Sequence, residues 1–413
     1  VKELYELGEI PPRGAVPEKM YASVIRPERF GEPEQAFATE VVDTPRPDRG
    51  QVLVYMMAAG INYNNVWASL GAPLDVIAAR KRHGATEEFH IGGSEGSGVV
   101  WAVGAGVESV SVGDHVVLSG CMWDETSTDI RLGADPMTSR SQVAWGYEAN
   151  YGSFGQFALV DDYQCHPKPP NLSWEDAAAF VLTGATAYRQ LCGWPPNTVR
   201  PGDPVLIWGG AGGLGSMAIQ IVSLLGGIPV AVVSSDDRAR YCERLGARGT
   251  IDRRAYDHWG PLPRGEDETA TARWTESVRA FGRAFWEVIG ERRSPSLVLE
   301  HTGQDTIPTS MYLCDNAGMV VICGGTTGYL SDVDLRFLWM RQKRLQGSHF
   351  ANLRQCREVV SLVGAGRLDP CLSWCEPFDS IGKAHQLMYH NEHPGGNMAV
   401  LVNASTTGGT SLD

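Results

Sequence analysis

Val205-Leu206-Ile207-Trp208-Gly209-Gly210-Ala211-Gly212-Gly213-Leu214-Gly215, running on into the apolar stretch Ser216 to Leu225, decides the reading of this chain. A short apolar strand enters a glycine loop, and the loop opens a helix. Gly210, Gly212 and Gly215 form a G-x-G-x-x-G, a weak signal when it stands alone. Between a strand and a helix it describes a cradle for a dinucleotide. Glycines let the backbone approach a pyrophosphate, and the helix N-terminus offers unpaired N–H groups and a partial positive charge. Gly209 through Gly215 are therefore expected to bind the cofactor, an ordinary tight turn being the plainer alternative.

About twenty residues further on, the next strand ends at Val233-Ser234-Ser235. An NAD-binding chain usually carries a carboxylate there for the ribose 2′-hydroxyl. Two hydroxyls followed by Arg238 suit a 2′-phosphate instead, so NADPH is expected. Asp236 and Asp237 would serve NAD or face solvent. Further apolar runs, Thr250 to Ile251, Leu297 to Glu300, Met319 to Cys323 and Arg344 to Gly347, alternate with helical stretches, the pattern of parallel βαβ units. Residues 184–350 are thus expected to form a Rossmann, doubly wound parallel-sheet domain in an α/β protein. Residues 1–183 carry short runs between turns (Gln51 to Met56, Gly98 to Val103, His115 to Leu118) and read as a β-rich domain. Its last helix is predicted to be capped by Ser173, with Asp176 three residues on. Residues 351–413 add a helix, a strand at Met398 to Val402 that returns to the first domain, and a Ser/Thr/Gly-rich tail, Ala404 to Asp413, expected to be disordered.

The 413 residues are too many for one core, so two or three domains are expected. Apolar residues at 43% and charged ones at 20% exclude a disordered or coiled-coil chain. Thirty-five basic and 48 acidic side chains leave a net charge of −13, which repels polyphosphate and argues against nucleic acid as a partner. The longest apolar stretch, Met217 to Val233, is broken by Gln220, Ser223, Gly226, Gly227 and Pro229, so no membrane span is expected. The first residues lack the pattern of a secretory leader. Nine cysteines, an odd number without a C-x-x-C pair, point to the cytoplasm.

A zinc dehydrogenase would need thiolate or imidazole ligands. Asn62, Tyr63 and Asn64 stand where a cysteine would be expected, Gly92-Gly93-Ser94-Glu95 offers only His90 nearby, and His385, His390 and His393 match no zinc spacing and read as exposed helix-end residues. No metal is expected. The chain resembles the medium-chain dehydrogenase/reductase superfamily and, within it, the crotonyl-CoA carboxylase/reductases. The resemblance runs from Pro17 to about Val402. It rests on Asn62-Tyr63-Asn64-Asn65-Val66-Trp67, His90-Ile91-Gly92-Gly93-Ser94, Trp145-Gly146-Tyr147-Glu148 with Gly152-Ser153-Phe154, Thr186 to Leu191, and Leu338-Trp339-Met340 with Gly347-Ser348-His349-Phe350-Ala351-Asn352.

The resemblance implies a zinc-free enzyme with a GroES-like catalytic domain and a Rossmann domain meeting at a cleft. It implies that NADPH delivers hydride to an enoyl-CoA thioester, that the resulting enolate attacks CO2 to give an alkylmalonyl-CoA, and that the protein is a homo-oligomer, a dimer of dimers. By resemblance Asn64 contacts CO2, Glu148 and His349 hold a water that completes the site, and Tyr147 covers it. The chemistry is sound, because CO2 has no net charge and must be held by aimed dipoles, and because water kept in order cannot quench the enolate. Read singly, Asn64 is also a turn residue, Glu148 a rim residue and His349 a structural histidine. The charged segment Gly71 to Glu88 (Arg80, Lys81, Arg82) and the basic residues Arg341, Lys343, Arg344 and Arg354 are candidates for a lid or for CoA phosphates, or solvated faces. Two other functions share the fold: a non-carboxylating enoyl-thioester or quinone reductase, and an NADPH-binding protein without turnover.

Overall fold

The computed structural model describes residues 2–264 and 266–412. The chain divides into one compact unit made of residues 1–182 and 351–413 and a second made of residues 183–350.

The first unit is built on the strand Gln51–Ile61, buried at every residue after Gln51. Its run of valine, leucine, tyrosine and methionine has no polar alternation, as befits a strand covered on both faces. One side pairs antiparallel with Gly96–Val103, which in turn pairs with His115–Leu118. The other side is shared: residues 51–55 pair with Phe157–Asp161, and residues 58–61 pair with Asn397–Leu401. That last pairing ties residues 351–413 to this unit. A small antiparallel sheet of Ala38–Asp43, Lys19–Ile25 and His90–Ile91 lies in the same unit.

Ser173 caps the helix Trp174–Ala178, its hydroxyl accepting from the Asp176 N–H at 3.2 Å. A second helix, Val181–Cys192, follows. The tail does not behave as expected. The Trp174 backbone N–H donates to the Gly409 carbonyl at 2.8 Å, the Trp174 indole to Ser411 at 3.0 Å, and the Lys168 ammonium to Thr410 at 3.3 Å. Small residues let this segment lie flat on Trp174, and its carbonyls satisfy buried donors that the sequence pattern does not reveal. Asp413 lies outside the described residues.

The second unit is a six-stranded, wholly parallel sheet in the order Gly249–Asp252, Ile228–Val233, Pro204–Ile207, Leu297–Glu300, Met319–Ile322, Arg344–Gly347. All six expected strands are present, with no end shifted by more than one residue. Their apolar runs are continuous because helices such as Gly213–Leu224 and Glu268–Ile289 pack on the sheet. The order reverses at Pro204–Ile207, the crevice where ligands of such sheets bind, beyond the carboxyl ends of the strands.

Candidate active site

In the second unit the carboxyl edge of the sheet collects the residues expected to hold the cofactor. Gly209 to Gly212 follow the first strand, and Gly212 is the N-cap of Gly213–Leu224. The turn is tight enough that a Cβ on Gly215 would lie 2.4 Å from the Gly209 carbonyl oxygen, so only glycine allows the helix to start this close to the strand. The cradle fits a pyrophosphate. At the next strand end, the Arg238 guanidinium donates to Ser234 Oγ at 3.4 Å, and Ser235 Oγ accepts the Arg238 backbone N–H at 3.3 Å as the cap of helix Asp236–Arg244. Ser235 therefore holds the helix that carries Arg238. Burial, and the charge of Arg253 nearby, make the Arg238 cation harder to hold and pull its pKa down. Two guanidiniums that repel each other beside a serine suit a doubly charged 2′-phosphate. Asp237 is exposed and paired with Arg240, so it faces solvent.

Arg253 was not visible in the sequence. It follows Gly249–Asp252, and only the parallel register Val233↔Asp252 brings it to the Ser234 edge. His301 is a second such residue: its Nε2 lies 3.2 Å from the Trp208 carbonyl and donates to it, which fixes the tautomer and buttresses the start of the glycine loop. Glu300, fully buried, accepts from Ser310 Oγ at 2.6 Å and Thr306 Oγ1 at 3.0 Å, and burial pushes its carboxyl up to about 7. His349 follows Arg344–Gly347 on the same edge and is exposed. Its neighbours are fixed: Ser348 N–H donates to Ile322 O at 2.8 Å, the Trp194 indole donates to Ser348 Oγ at 3.2 Å, and Phe350 turns back with φ 42°.

In the first unit, Asn62 to Asn65 lead from the central strand into helix Asn64–Leu70 and face Gly92 to Glu95. The Asn62 amide donates to Glu95 Oε1 at 2.7 Å, Asn64 Nδ2 to Ser94 Oγ at 2.7 Å, and Asn65 Oδ1 accepts the Gly93 N–H at 3.3 Å. Asn64 is thus held by its side chain, more than a turn residue requires. The turn carrying Tyr147 and Glu148 rests on the same segment. A Cβ on Gly146 (φ +68°) would lie 2.0 Å from the Gly93 carbonyl oxygen, and Ser153 and Phe154 N–H groups donate to the Gly93 and Gly92 carbonyls at 3.0 Å. Glu148 is half-buried, and its Oε2 accepts the Ala144 N–H at 2.7 Å, so one oxygen locks its own turn. Tyr147 packs partly buried against the core. Asn64 and the turn that carries Glu148 therefore both pack on the Gly93–Ser94 backbone of the first unit, while His349 belongs to the second.

Three expectations are corrected. Arg80 faces neither a ligand nor solvent: within helix Val76–Arg82 it turns inward, donating to His90 Nδ1 at 3.0 Å and to the Phe89 carbonyl at 2.8 Å, which also accepts from the Asn150 amide at 3.3 Å. Burial lowers its pKa to about 10. Lys81 pairs with Glu88 on the surface. Of the second basic group, Lys343 is buried on the carbonyls of Met311 and Tyr312, and Arg344 donates to the Trp194 and Pro195 carbonyls. His385 is not exposed: it is fully buried, stacked on Phe37 at 4.8 Å with Nδ1 bonded to the Ile381 carbonyl.

The alcohol dehydrogenase GroES-like domain family matches residues 48–170, and the zinc-binding dehydrogenase family matches residues 213–365. The crotonyl-CoA carboxylase/reductase of Cereibacter sphaeroides is 47% identical over 98% of this chain and 93% of its own length. The structure of crotonyl-CoA carboxylase/reductase AntE in complex with NADP is similar with a TM-score of 0.95 and 66% identity, covering 98% of this chain and 100% of that one. The structure of the 2-octenoyl-CoA carboxylase reductase CinF with NADP and 2-octenoyl-CoA is similar at a TM-score of 0.88 and 33% identity, covering 97% and 91%. Zinc does not suit the residues present: Asn62, Asn64 and Ser94 offer amides and a hydroxyl, both Glu95 oxygens are taken, and no three His, Cys, Asp or Glu side chains form a metal-binding group among the described residues. A GroES-like unit with amides in place of metal ligands, a cradle shaped for a dinucleotide phosphate, and identity along nearly the whole length agree: this chain belongs to the crotonyl-CoA carboxylase/reductase family.

Proposed function

We propose that this chain uses NADPH to reduce a 2-enoyl-CoA thioester, such as crotonyl-CoA, and carboxylates the reduced intermediate to an alkylmalonyl-CoA, ethylmalonyl-CoA in the case of crotonyl-CoA. Gly209 to Gly215 hold the pyrophosphate, and Ser234, Arg238 and Arg253 hold the 2′-phosphate, with Ser235 fixing the helix beneath. The bound cofactor supplies a hydride to the β-carbon, which leaves an enolate. Asn64 offers an N–H to an oxygen of CO2 and aims its carbon at the α-carbon of that enolate; a C–C bond forms and the new carboxylate takes the negative charge. By the family resemblance Glu148 and His349 each serve to order water and Tyr147 serves as a shield, so that no proton reaches the enolate first. The observation that carries this reading is the Asn64 to Ser94 bond at 2.7 Å: an amide is held in place where a metal ligand would stand.

The chain works as a homo-oligomer, a dimer of dimers. Leu330, Leu335, Trp339 and Met340 support this, being exposed apolar side chains close in sequence to the edge strand Arg344–Gly347. Light scattering would then give a mass several times 44.8 kDa. A cytoplasmic setting suits the odd count of nine cysteines. No helix among the described residues is long and apolar enough to cross a membrane.

Incubation with crotonyl-CoA, NADPH and bicarbonate is the test, with products read by mass spectrometry. Ethylmalonyl-CoA is expected. Butyryl-CoA alone would remove the carboxylase step and leave a plain enoyl-thioester reductase. Glu148→Ala and His349→Ala should raise the butyryl-CoA share, and Asn64→Leu should raise it further.

A further inference from the structure

We infer that Asn65 sets the polarity of the Asn64 amide and thereby decides which end of that dipole meets CO2; this rests on the role given to Asn64 above. A backbone N–H can only donate. The Gly93 N–H lies 3.3 Å from one side-chain atom of Asn65, which must therefore be Oδ1. The other atom is then Nδ2, a donor, and it lies 3.2 Å from Asn64, whose facing atom must be Oδ1. Asn64 Nδ2 is left to face Ser94 Oγ at 2.7 Å. Each link is dictated by the one before it. Ser94 does not decide the matter, because a hydroxyl both donates and accepts.

The consequence falls on CO2. Its oxygens are the negative ends of the quadrupole and its carbon the positive centre. The second N–H of Asn64 Nδ2 meets an oxygen and leaves the carbon open to attack. A reversed amide would turn its own oxygen on that carbon and compete with the enolate. Asn65 is 0% exposed, so water cannot replace it. A structural role is the rival account: Asn65 would serve only to satisfy the Gly93 N–H.

Asn65→Asp separates the two. The introduced carboxylate still accepts from Gly93 and has nearly the same shape, but it cannot donate to Asn64, whose amide must turn round. With crotonyl-CoA, NADPH and saturating CO2 above neutral pH, the ratio of ethylmalonyl-CoA to butyryl-CoA should fall about tenfold, the worth of one hydrogen bond. The KM for NADPH should not change. As the pH is lowered, the buried carboxyl takes up a proton, regains a donor, and the ratio should climb toward that of the unsubstituted protein at the same pH. A ratio equal to the unsubstituted protein's throughout the range would overturn the inference. If Asn65→Asp does not fold, Asn65→Ala, which buries no charge, is read instead: a lowered ratio supports the inference, and an unchanged one overturns it. Butyryl-CoA alone from the unsubstituted protein would bring down the carboxylase reading itself, and this inference with it.

Discussion

Glu95→Gln keeps the shape of a fully buried side chain and removes its titration. Burial pushes the Glu95 carboxyl from 4.5 up to about 7, against the opposing pull of the Asn62 amide and of the Leu182 and Val181 N–H groups. A carboxyl whose folded pKa lies above its unfolded value keeps its proton longer in the native state. Its stabilising contribution is therefore complete below about 4.5 and is lost as the pH rises through about 7. The full distance is worth about 3 kcal/mol. Glutamine can direct its oxygen to the Leu182 N–H, which lies 2.8 Å from Glu95 Oε2, and its NH2 to Asn62, which turns its amide to accept. Urea midpoints of both proteins, at equal concentration and at about pH 5 and about pH 9, test this. The variant should gain about 2.5 kcal/mol relative to the unsubstituted protein between the two conditions, a little less than the full distance because pH 5 already lies above the unfolded value. Glu300, raised by burial in the same way, contributes the same slope to both proteins and cancels in the difference. A stability difference that stays constant with pH would refute the reasoning.

Arg80→Met takes the donor from His90 Nδ1, while the Phe89 carbonyl keeps the Asn150 amide, and should cost about 1–3 kcal/mol in a urea titration. If Arg80 held CoA phosphates, stability would be kept and the KM for the acyl-CoA would rise instead. Arg238→Ala and Arg253→Ala should each raise the KM for NADPH about tenfold or more and leave that for NADH nearly unchanged, since each removes a charge-assisted contact to the 2′-phosphate. Removing residues 404–413 strips the acceptors from the Trp174 indole and backbone N–H, and should lower stability by about 2 kcal/mol; a free tail would cost nothing.

What was legible in the sequence is what local chemistry encodes. Pro204–Ile207, the glycines after it and the helix Gly213–Leu224 announce themselves, because apolar runs and glycine turns are read over a dozen residues. Residues whose meaning depends on tertiary register stayed hidden. Arg253 reaches the Ser234 edge only through the pairing of Val233 with Asp252. Glu95 has its partners in Asn62 and Leu182, and Arg80 reads as a charge on a solvated helix until His90 is seen beneath it. His385 sits in a helix with polar ends, and nothing nearby says that Phe37 stacks on it. The Ser/Thr/Gly composition of the tail gave the wrong expectation for a related reason: its hold on Trp174 runs through backbone carbonyls, which composition does not describe.

The same division explains the polar set around Asn64. Family likeness supplies the positions, and the structure supplies the reason Asn64 can act as a directed dipole. A metal site fixes its geometry by coordination and brings a positive charge with it. Here Gly93, Asn65, Asn64 and Ser94 form a line of neutral donors and acceptors, begun by a backbone group that has no choice of direction. Neutrality matters on the proposed reading. A cation would hold the enolate by its oxygen and would bind water and bicarbonate at least as well as CO2, whereas an oriented amide favours the uncharged molecule and leaves its carbon free. Precision comes from the order of the hydrogen bonds, so changing one donor in the line should alter the product while leaving the fold in place.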